Sequence, residues 1–337
     1  VYKRQLVINA PDGNTISATE HSIAMILAMA RNIPQAHQSL KAGEWNRKAF
    51  RGTELYKKTL GIIGAGPIGL GVAKRAQSFG MQILAFDPYL TEDKAKSLDI
   101  QLATVDEIAS KSDFVTVHTP LTPKTKGIVG DNFFKKAKPN LQIINVARGG
   151  IIDEDALINA LDHAQISRAA IDVFKHEPPL DSPLIKHDKI IVTPHLGAST
   201  VEAQEKVAVS VSNEIIDILT KGTVEHAVNA PKMDMNEVDQ NVKDYLSLAT
   251  TIGEFGIQLL EGAPSEVTIT YGGDVAKIDT SLISRTIVSN ILKEDFGDEV
   301  NIINALALLN QQDVTYQIEK NKNESGFSNY IELSLSN

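Results

Sequence analysis

The sequence contains no cysteine, which removes disulfides and thiolate nucleophiles and makes a reducing cytoplasm the expected compartment. Long apolar runs are missing too. The longest near the start, "SIAMILAMA" (Ser22–Ala30), is too short to span a bilayer and lacks signal-peptide flanks, so it is expected to be a buried helix. A broad basic surface is also excluded. Lys and Arg number 33 against 42 Asp and Glu, and the net charge of −9 argues against nucleic-acid or anionic-membrane partners. No metal site is expected. What is present is ordinary for a globular chain: 337 residues, 42% hydrophobic and 22% charged, enough for about two or three domains with real cores.

The middle of the chain alternates between short apolar runs and segments with helical spacing. "TLGIIGAG" precedes "PIGLGVAKRAQSFG". Then come "MQILAFD", "TEDKAKSL", "VDEIASK", "FVTVHTP", "LQIINVARGG", "DEDALINALDH", "ISRAAIDVF" and "KIIVTPH". Fully apolar strands separated by amphipathic helices predict an α/β fold, a doubly wound parallel sheet of Rossmann type covered on both faces. On such a sheet, ligands sit outside the carboxyl ends of the strands.

The first strand end carries Gly64-Ala65-Gly66-Pro67-Ile68-Gly69, a GxGxxG turn that follows a strand and opens a helix. Gly64 permits the tight turn, Gly66 lets a pyrophosphate approach the backbone, and Gly69 allows close helix–strand packing. The phosphate then meets a helix N-terminus with free N–H groups. The next strand ends in Asp87, placed to accept hydrogen bonds from an adenosine ribose. Its charge repels a 2′-phosphate, and Pro88 and Tyr89 supply no cation, so NAD is expected rather than NADP.

The later strand ends hold His118 and Thr119, then Arg148, then Asp172 and Glu177, then His195 in "IVTPHLGAST". Three of these meet the needs of hydride transfer to a 2-oxo acid. Arg148 can hold a carboxylate in a two-pronged grip. His195 can pass a proton near neutral pH, and Glu177 can orient that imidazole and favour its protonated form.

"GIIGAGPIG", "FDPY", "VHTPLTPKTKG", "NVARGGIIDEDAL", "DVFKHEPP" and "PHLGAST" together resemble the D-isomer-specific 2-hydroxyacid dehydrogenases, from Leu6 to roughly Gly222. The resemblance implies that Arg148 binds the substrate carboxylate, Glu177 orients, and His195 is the general acid/base. It implies NAD contacts from Pro67, Ile68, Asp87, Thr119, Val146, Ala147, Arg148 and Asp172, with His195, Leu196, Gly197 and Ala198. His118 matches a cofactor-loop position and His176 matches no role. The most specific activity implied is NAD-dependent oxidation of 3-phospho-D-glycerate to 3-phosphohydroxypyruvate, the first step of L-serine biosynthesis. Glycerate, hydroxypyruvate or 2-hydroxyglutarate are alternative substrates, and an NAD-sensing binding protein on the same scaffold is the alternative class.

Two departures stand out. Pro67 replaces a basic residue of many relatives, which removes one N–H and one charge near the pyrophosphate, although proline suits a first helical position. The family also begins with the first half of a flavodoxin-like substrate domain. This sequence starts near that domain's last strand, "LVINAP", after a "VYKRQ" unlike the family, so an N-terminally truncated piece is expected. "AGEWNRKAFRG" (Ala42–Gly52) is either a solvated connector or, as in relatives, a loop reaching the partner subunit's active site, where Arg47, Lys48 and Arg51 would meet a triply charged substrate. The helix from Ser17 carries dimer contacts in relatives, so a homodimer or homotetramer is implied.

Past Gly222 the pattern changes. A long helix in "MNEVDQNVKDYLSLATTIGEFGIQLLEG" is followed by a strand in "SEVTITY", helices near Ile283–Leu292 and in "NIINALALLN", and strands in "VTYQIE" and "YIELSLS". This α+β pattern resembles the intervening, regulatory-type domain of long family members, as an effector site or a purely structural module. In those members a small serine-sensing domain comes next, so a C-terminal truncation is expected as well. The expected organisation is therefore residues 1–10 as a substrate-domain remnant and 11–194 as the NAD-binding domain. Residues 195–222 then form a return helix, and 223–337 part of the intervening domain.

Overall fold

The computed structural model describes residues 5–221, 223–231, 233–234, 240–321 and 329–337. Most of "VYKRQ", Gly222 and the first residues of the long helix expected from Met235 lie outside the described residues. The chain forms two compact units, Asp12–Val207 and the described parts of Val1–Pro11 with Ala208–Asn337. Among the described residues no helix is long and apolar enough to cross a membrane.

The first unit opens with helices α1 (Thr15–Ala30) and α2 (Ile33–Lys41). Strands β1 (Thr59–Ile63) and β2 (Gln82–Phe86) flank helix α3 (Pro67–Ser78). Helix α4 (Glu92–Ser97), strand β3 (Gln101–Leu102), helix α5 (Val105–Lys111) and strand β4 (Phe114–Val117) follow. Helix α6 (Asp131–Lys136), strand β5 (Gln142–Asn145), helix α7 (Glu154–Asp162), and strands β6 (Arg168–Ile171) and β7 (Ile190–Val192) complete the sheet region. The seven strands run parallel in the order β3-β2-β1-β4-β5-β6-β7.

Strand geometry sends successive side chains to opposite faces, and apolar pairs exploit this. Ile63, Ile143 and Ala169 enter one core with Phe133, Phe134 and Leu157, while Ile62, Ile144 and Ala170 enter the other with Ile26, Met29 and Val72. Both faces are therefore dry, as the unbroken apolar runs require. Local chemistry sets the helix starts. Thr104 accepts from the Glu107 amide at 3.2 Å while the Glu107 carboxylate accepts from the Thr104 amide at 3.0 Å, a reciprocal cap on α5.

The strand order reverses between β1 and β4, opening a crevice beyond their carboxyl ends. The turn after β1 and the turn after β4 pack tightly there. A Cβ at Gly64, whose φ is +98°, would lie 2.7 Å from the carbonyl carbon of His118. A Cβ at Gly69 would fall 2.1 Å from the Gly64 oxygen, so α3 can seat on β1 only with glycine at that position.

The second unit contains most of helix α8 (Val201–Lys221) and a short antiparallel pair, β8 (Thr223–Val224) and β9 (Met233–Asp234). Helix α9 (Gln240–Gln258), strand β10 (Glu266–Gly273), and helices α10 (Ser281–Ile291), α11 (Lys293–Phe296) and α12 (Ala305–Gln311) come next. Strands β11 (Thr315–Asn321) and β12 (Asn329–Ser336) flank β10, parallel and antiparallel to it respectively. The core joins Val267, Ile269 and Tyr271 of β10 to Ile283 and Ile287 of α10. The Tyr271 hydroxyl pairs with Ser284 Oγ at 2.6 Å, and burial pushes that phenol up to about 12.

Two segments differ from their expected form. "LVINAP" is not a strand. Among the described residues it makes one isolated bridge, Ile8 to Ala227, with backbone bonds from the Asn9 amide to His226 and from the Val228 amide to Val7. Residues His195–Val207, read from the sequence as lying outside the nucleotide domain, cluster with it. The backbone N–H of His195 donates to the Asp172 carbonyl at 2.8 Å, and Ser17 Oγ pairs with Thr200 Oγ1 at 2.7 Å.

Candidate active site

A cavity of about 410 Å³ lies at the carboxyl edge of the parallel sheet. Its walls include Ile68, Thr119, Val146, Ala147, Arg148, His195, Gly197 and Ala198, and His118. Eight of the residues expected from sequence thus converge on one space, from the turns after β4, β5 and β7 and from the start of α3. Glu177 joins them through His195. The imidazole Nδ1 and the Glu177 carboxylate are 2.8 Å apart, which leaves Nε2 free to face a ligand. Burial acts to raise the Glu177 carboxyl, but the bonds from the His195 ring and the Phe174 amide outweigh it and hold it below the usual range. The carboxylate is therefore charged at neutral pH and holds the ring by its Nδ1.

Arg148 is held by its backbone. The Asn145 side chain accepts from the Ala147 amide at 3.0 Å and donates to the Arg148 carbonyl at 2.9 Å. Asn145 is the last residue of β5 and almost fully buried, and the sequence reading did not single it out. An Asn closing a strand before a turn is the signal that was available.

Gly66 is open where the family pattern needs it. A Cβ there would meet nothing within 4 Å, so the space above the turn is free for a phosphate. Pro67 is the first residue of α3, and the free amides of Ile68 and Gly69 remain as anion donors. Thr119 Oγ1 lines the cavity yet has no hydrogen-bond partner, an orphan that a cofactor oxygen or amide can satisfy. The residues present fit NAD.

Asp87 follows β2, and its two oxygens accept from the amides of Ala65 and Tyr89, each at 2.8 Å. It shapes the glycine turn through these bonds. Replacing Asp87 by Ser and adding a nearby Arg is expected to narrow the preference for NADH over NADPH. NADH itself should bind more weakly, because the Ala65 amide loses its acceptor. Titrating both cofactors against native and altered protein checks this, and equal affinity of the native protein for both contradicts the reading of Asp87.

His118 sits in the cavity wall with Nε2 2.9 Å from Thr116 Oγ1. Burial pushes its pKa down from 6.5 to about 4, so the ring is neutral and unsuited to proton transfer at physiological pH. The unfolded chain binds a proton that the folded chain refuses between those values. Stability should therefore fall as pH drops from about 6.5 to 4, by roughly 3 kcal/mol at the low end. Chemical denaturation across that window should show a shallower fall for His118→Asn. Equal slopes in both proteins would contradict the assignment.

Other expected residues fall elsewhere. Asp172 does not line the cavity; its carboxylate is fully buried beneath the His195 turn. His176 is exposed. Arg51 lines a separate cavity of about 250 Å³ with Arg168 and Asp113, so the fold of this unit does not bring it to Arg148 and His195. Arg47 and Lys48 are exposed. Among the described residues no group of acidic and histidine side chains is arranged to hold a metal ion.

A parallel sheet with a glycine turn at its switch point, and an acid-paired histidine beside an arginine, has the features of a nicotinamide-dependent dehydrogenase. Residues 23–197 match the NAD-binding domain of the D-isomer-specific 2-hydroxyacid dehydrogenases, and residues 241–337 match the D-3-phosphoglycerate dehydrogenase intervening domain. The chain belongs to the D-isomer-specific 2-hydroxyacid dehydrogenase family. It is 44% identical over 330 residues to D-3-phosphoglycerate dehydrogenase of Bacillus subtilis, and 42% identical over 330 residues to that of Methanocaldococcus jannaschii. In both cases 98% of this chain aligns to 63% of the relative, so the chain spans less than two thirds of their length. A solved D-lactate dehydrogenase from Aquifex aeolicus, complexed with NAD and lactic acid, superposes with a TM-score of 0.60 at 27% identity. It covers 67% of this chain and 74% of its own.

Proposed function

We propose that the full-length protein oxidises 3-phospho-D-glycerate to 3-phosphohydroxypyruvate with NAD. The observation that carries this reading is the Glu177–His195 pair at 2.8 Å, facing the same cavity as Arg148 on a dinucleotide-binding sheet. Similarity to D-3-phosphoglycerate dehydrogenases over nearly the whole chain supports the choice of substrate.

The Arg148 guanidinium holds the substrate carboxylate and fixes C2 in the cavity. His195 Nε2 takes the proton of the C2 hydroxyl as the carbonyl forms, and the ring becomes an imidazolium. Glu177 lies 2.8 Å from the far nitrogen of that ring and stabilises the charge it gains. NAD, when bound, supplies the two-electron acceptor for the hydride leaving C2. In the reverse direction His195 returns the proton. Arg47, Lys48 and Arg51 are the cations offered to the substrate phosphate of a neighbouring protomer in a homodimer or homotetramer, and the cysteine-free chain works in the cytoplasm.

The test is a substrate panel. Full-length protein is assayed with NAD and 3-phospho-D-glycerate, D-glycerate, D-2-hydroxyglutarate and D-lactate. The proposal expects kcat/KM for the phosphorylated acid to exceed the others by at least about tenfold. Preference for an unphosphorylated acid overturns the substrate, and no turnover with any acid overturns the activity.

A further inference from the structure

His195 has a backbone φ of +56°. A side chain with a Cβ pays on the order of 1–2 kcal/mol for that left-handed conformation, so the surroundings must impose it. Three consecutive amides show how. The N–H of His195 donates to the Asp172 carbonyl at 2.8 Å, while those of Leu196 and Gly197 donate to the two carboxylate oxygens of Asp172 at 2.8 and 3.0 Å. The turn that aims the imidazole is clamped to one aspartate.

That aspartate has a fully buried side chain and needs donors to keep its charge. Thr193 Oγ1 gives one at 2.5 Å from within the same loop. The remaining donor comes from far away in sequence. His21 of α1 places Nε2 3.2 Å from Asp172 Oδ1 and 3.3 Å from Thr193 Oγ1. One helical turn earlier on the same face of α1, Ser17 Oγ meets Thr200 Oγ1 at 2.7 Å. Residues i and i+4 of one helix thus grip the two ends of the Thr193–Thr200 loop that carries the proton-transfer residue. Burial works to raise the Asp172 carboxyl, but bonds from His21, Thr193 and Leu196 hold it below its usual range. Its charge is also felt by Glu177, so the brace and the proton-transfer pair are linked.

We propose that His21 is a positioning residue for the proton-transfer site: it braces the Asp172 clamp from α1 and so holds His195 in its left-handed turn. This deepens the dehydrogenase reading and rests on it for the kinetic arm alone. His21 touches neither the cavity wall nor the Glu177–His195 pair directly, and it acts only through Asp172 and Thr193.

The experiment compares full-length wild type with His21→Leu, which removes the donor, and His21→Gln, whose amide can donate from a similar reach. Hydrogen exchange is read at the Leu196 and Gly197 amides and, as a control, at the amides of β1 and β4. His21→Leu is expected to speed exchange at the two loop amides by about tenfold or more, with the strands unchanged. It should lower kcat on the order of tenfold with little change in NADH affinity, since a displaced base loses rate rather than cofactor binding. His21→Gln should restore most of both. Unchanged loop exchange and kcat in His21→Leu overturns the proposal. So does a loss of protection spread equally over loop and strands, which marks a merely structural role. If the wild type oxidises no 2-hydroxy acid, the function proposed above fails on its own, while the exchange arm still decides whether His21 braces the loop.

Discussion

Replacing His195 by alanine in the full-length protein is expected to lower kcat by roughly 10²–10⁴-fold, the ordinary worth of a positioned general acid/base. NADH affinity should barely change. The glycine turn, Asp87 and the orphan Thr119 hydroxyl lie on other strand ends and do not depend on the imidazole. Glu177→Gln should cost less, because the base remains while its orientation weakens. Steady-state kinetics, with NADH binding measured by fluorescence, checks all three statements. Turnover of His195→Ala within about threefold of wild type would remove His195 from proton transfer.

The second large effect is at Arg148. A two-pronged guanidinium–carboxylate contact consists of two charge-assisted hydrogen bonds worth about 1.5–3 kcal/mol each, and losing both predicts a fall in kcat/KM of roughly 10²–10⁴-fold. Arg148→Gln should show this mainly as a raised KM, because the grip acts on the ground state as well as on the transition state. Arg148→Lys should rescue little, since an ammonium cannot present two parallel donors. The backbone of the turn is held by two Asn145 side-chain bonds, beside which the guanidinium adds one to the Ala147 carbonyl at 2.7 Å, so the fold should survive either change. An unchanged KM in both variants would mean that the carboxylate is held elsewhere.

Much of this was legible in the sequence because it is written in local patterns. Apolar runs of four or five residues ending in Gly, Asp, His or Asn announced β1, β2, β4, β5 and β6, and Arg148 and Asp172 sat just past such ends, as His195 did past the shorter β7. The GxGxxG turn fixed its own meaning through sterics, since Gly64 and Gly69 have no room for a Cβ. The two-residue β3 was not legible, because Gln101–Leu102 is too short to show a period. Nor was the fate of "LVINAP", whose apolar alternation suits a strand but whose pairing depends on what lies beside it.

The sequence by itself determined the fold class, the cofactor-binding turn and the list of reactive side chains, because the period of a strand, the freedom of glycine and the chemistry of Arg, Glu and His are properties of the residues. Tertiary structure alone decided which of them meet. Strand order brought Glu177 within 2.8 Å of His195 and put Arg148 on the same cavity, while Arg51 faces a different one. It also turned Asp172, expected as a cofactor contact, into the buried anchor of the left-handed His195 turn, and it brought His21, which no motif marks, to brace that anchor from 151 positions earlier (172 − 21). A hydrogen bond acts over about 3 Å of space, whatever the separation along the chain, and that distance exists only once the helix has packed against the sheet.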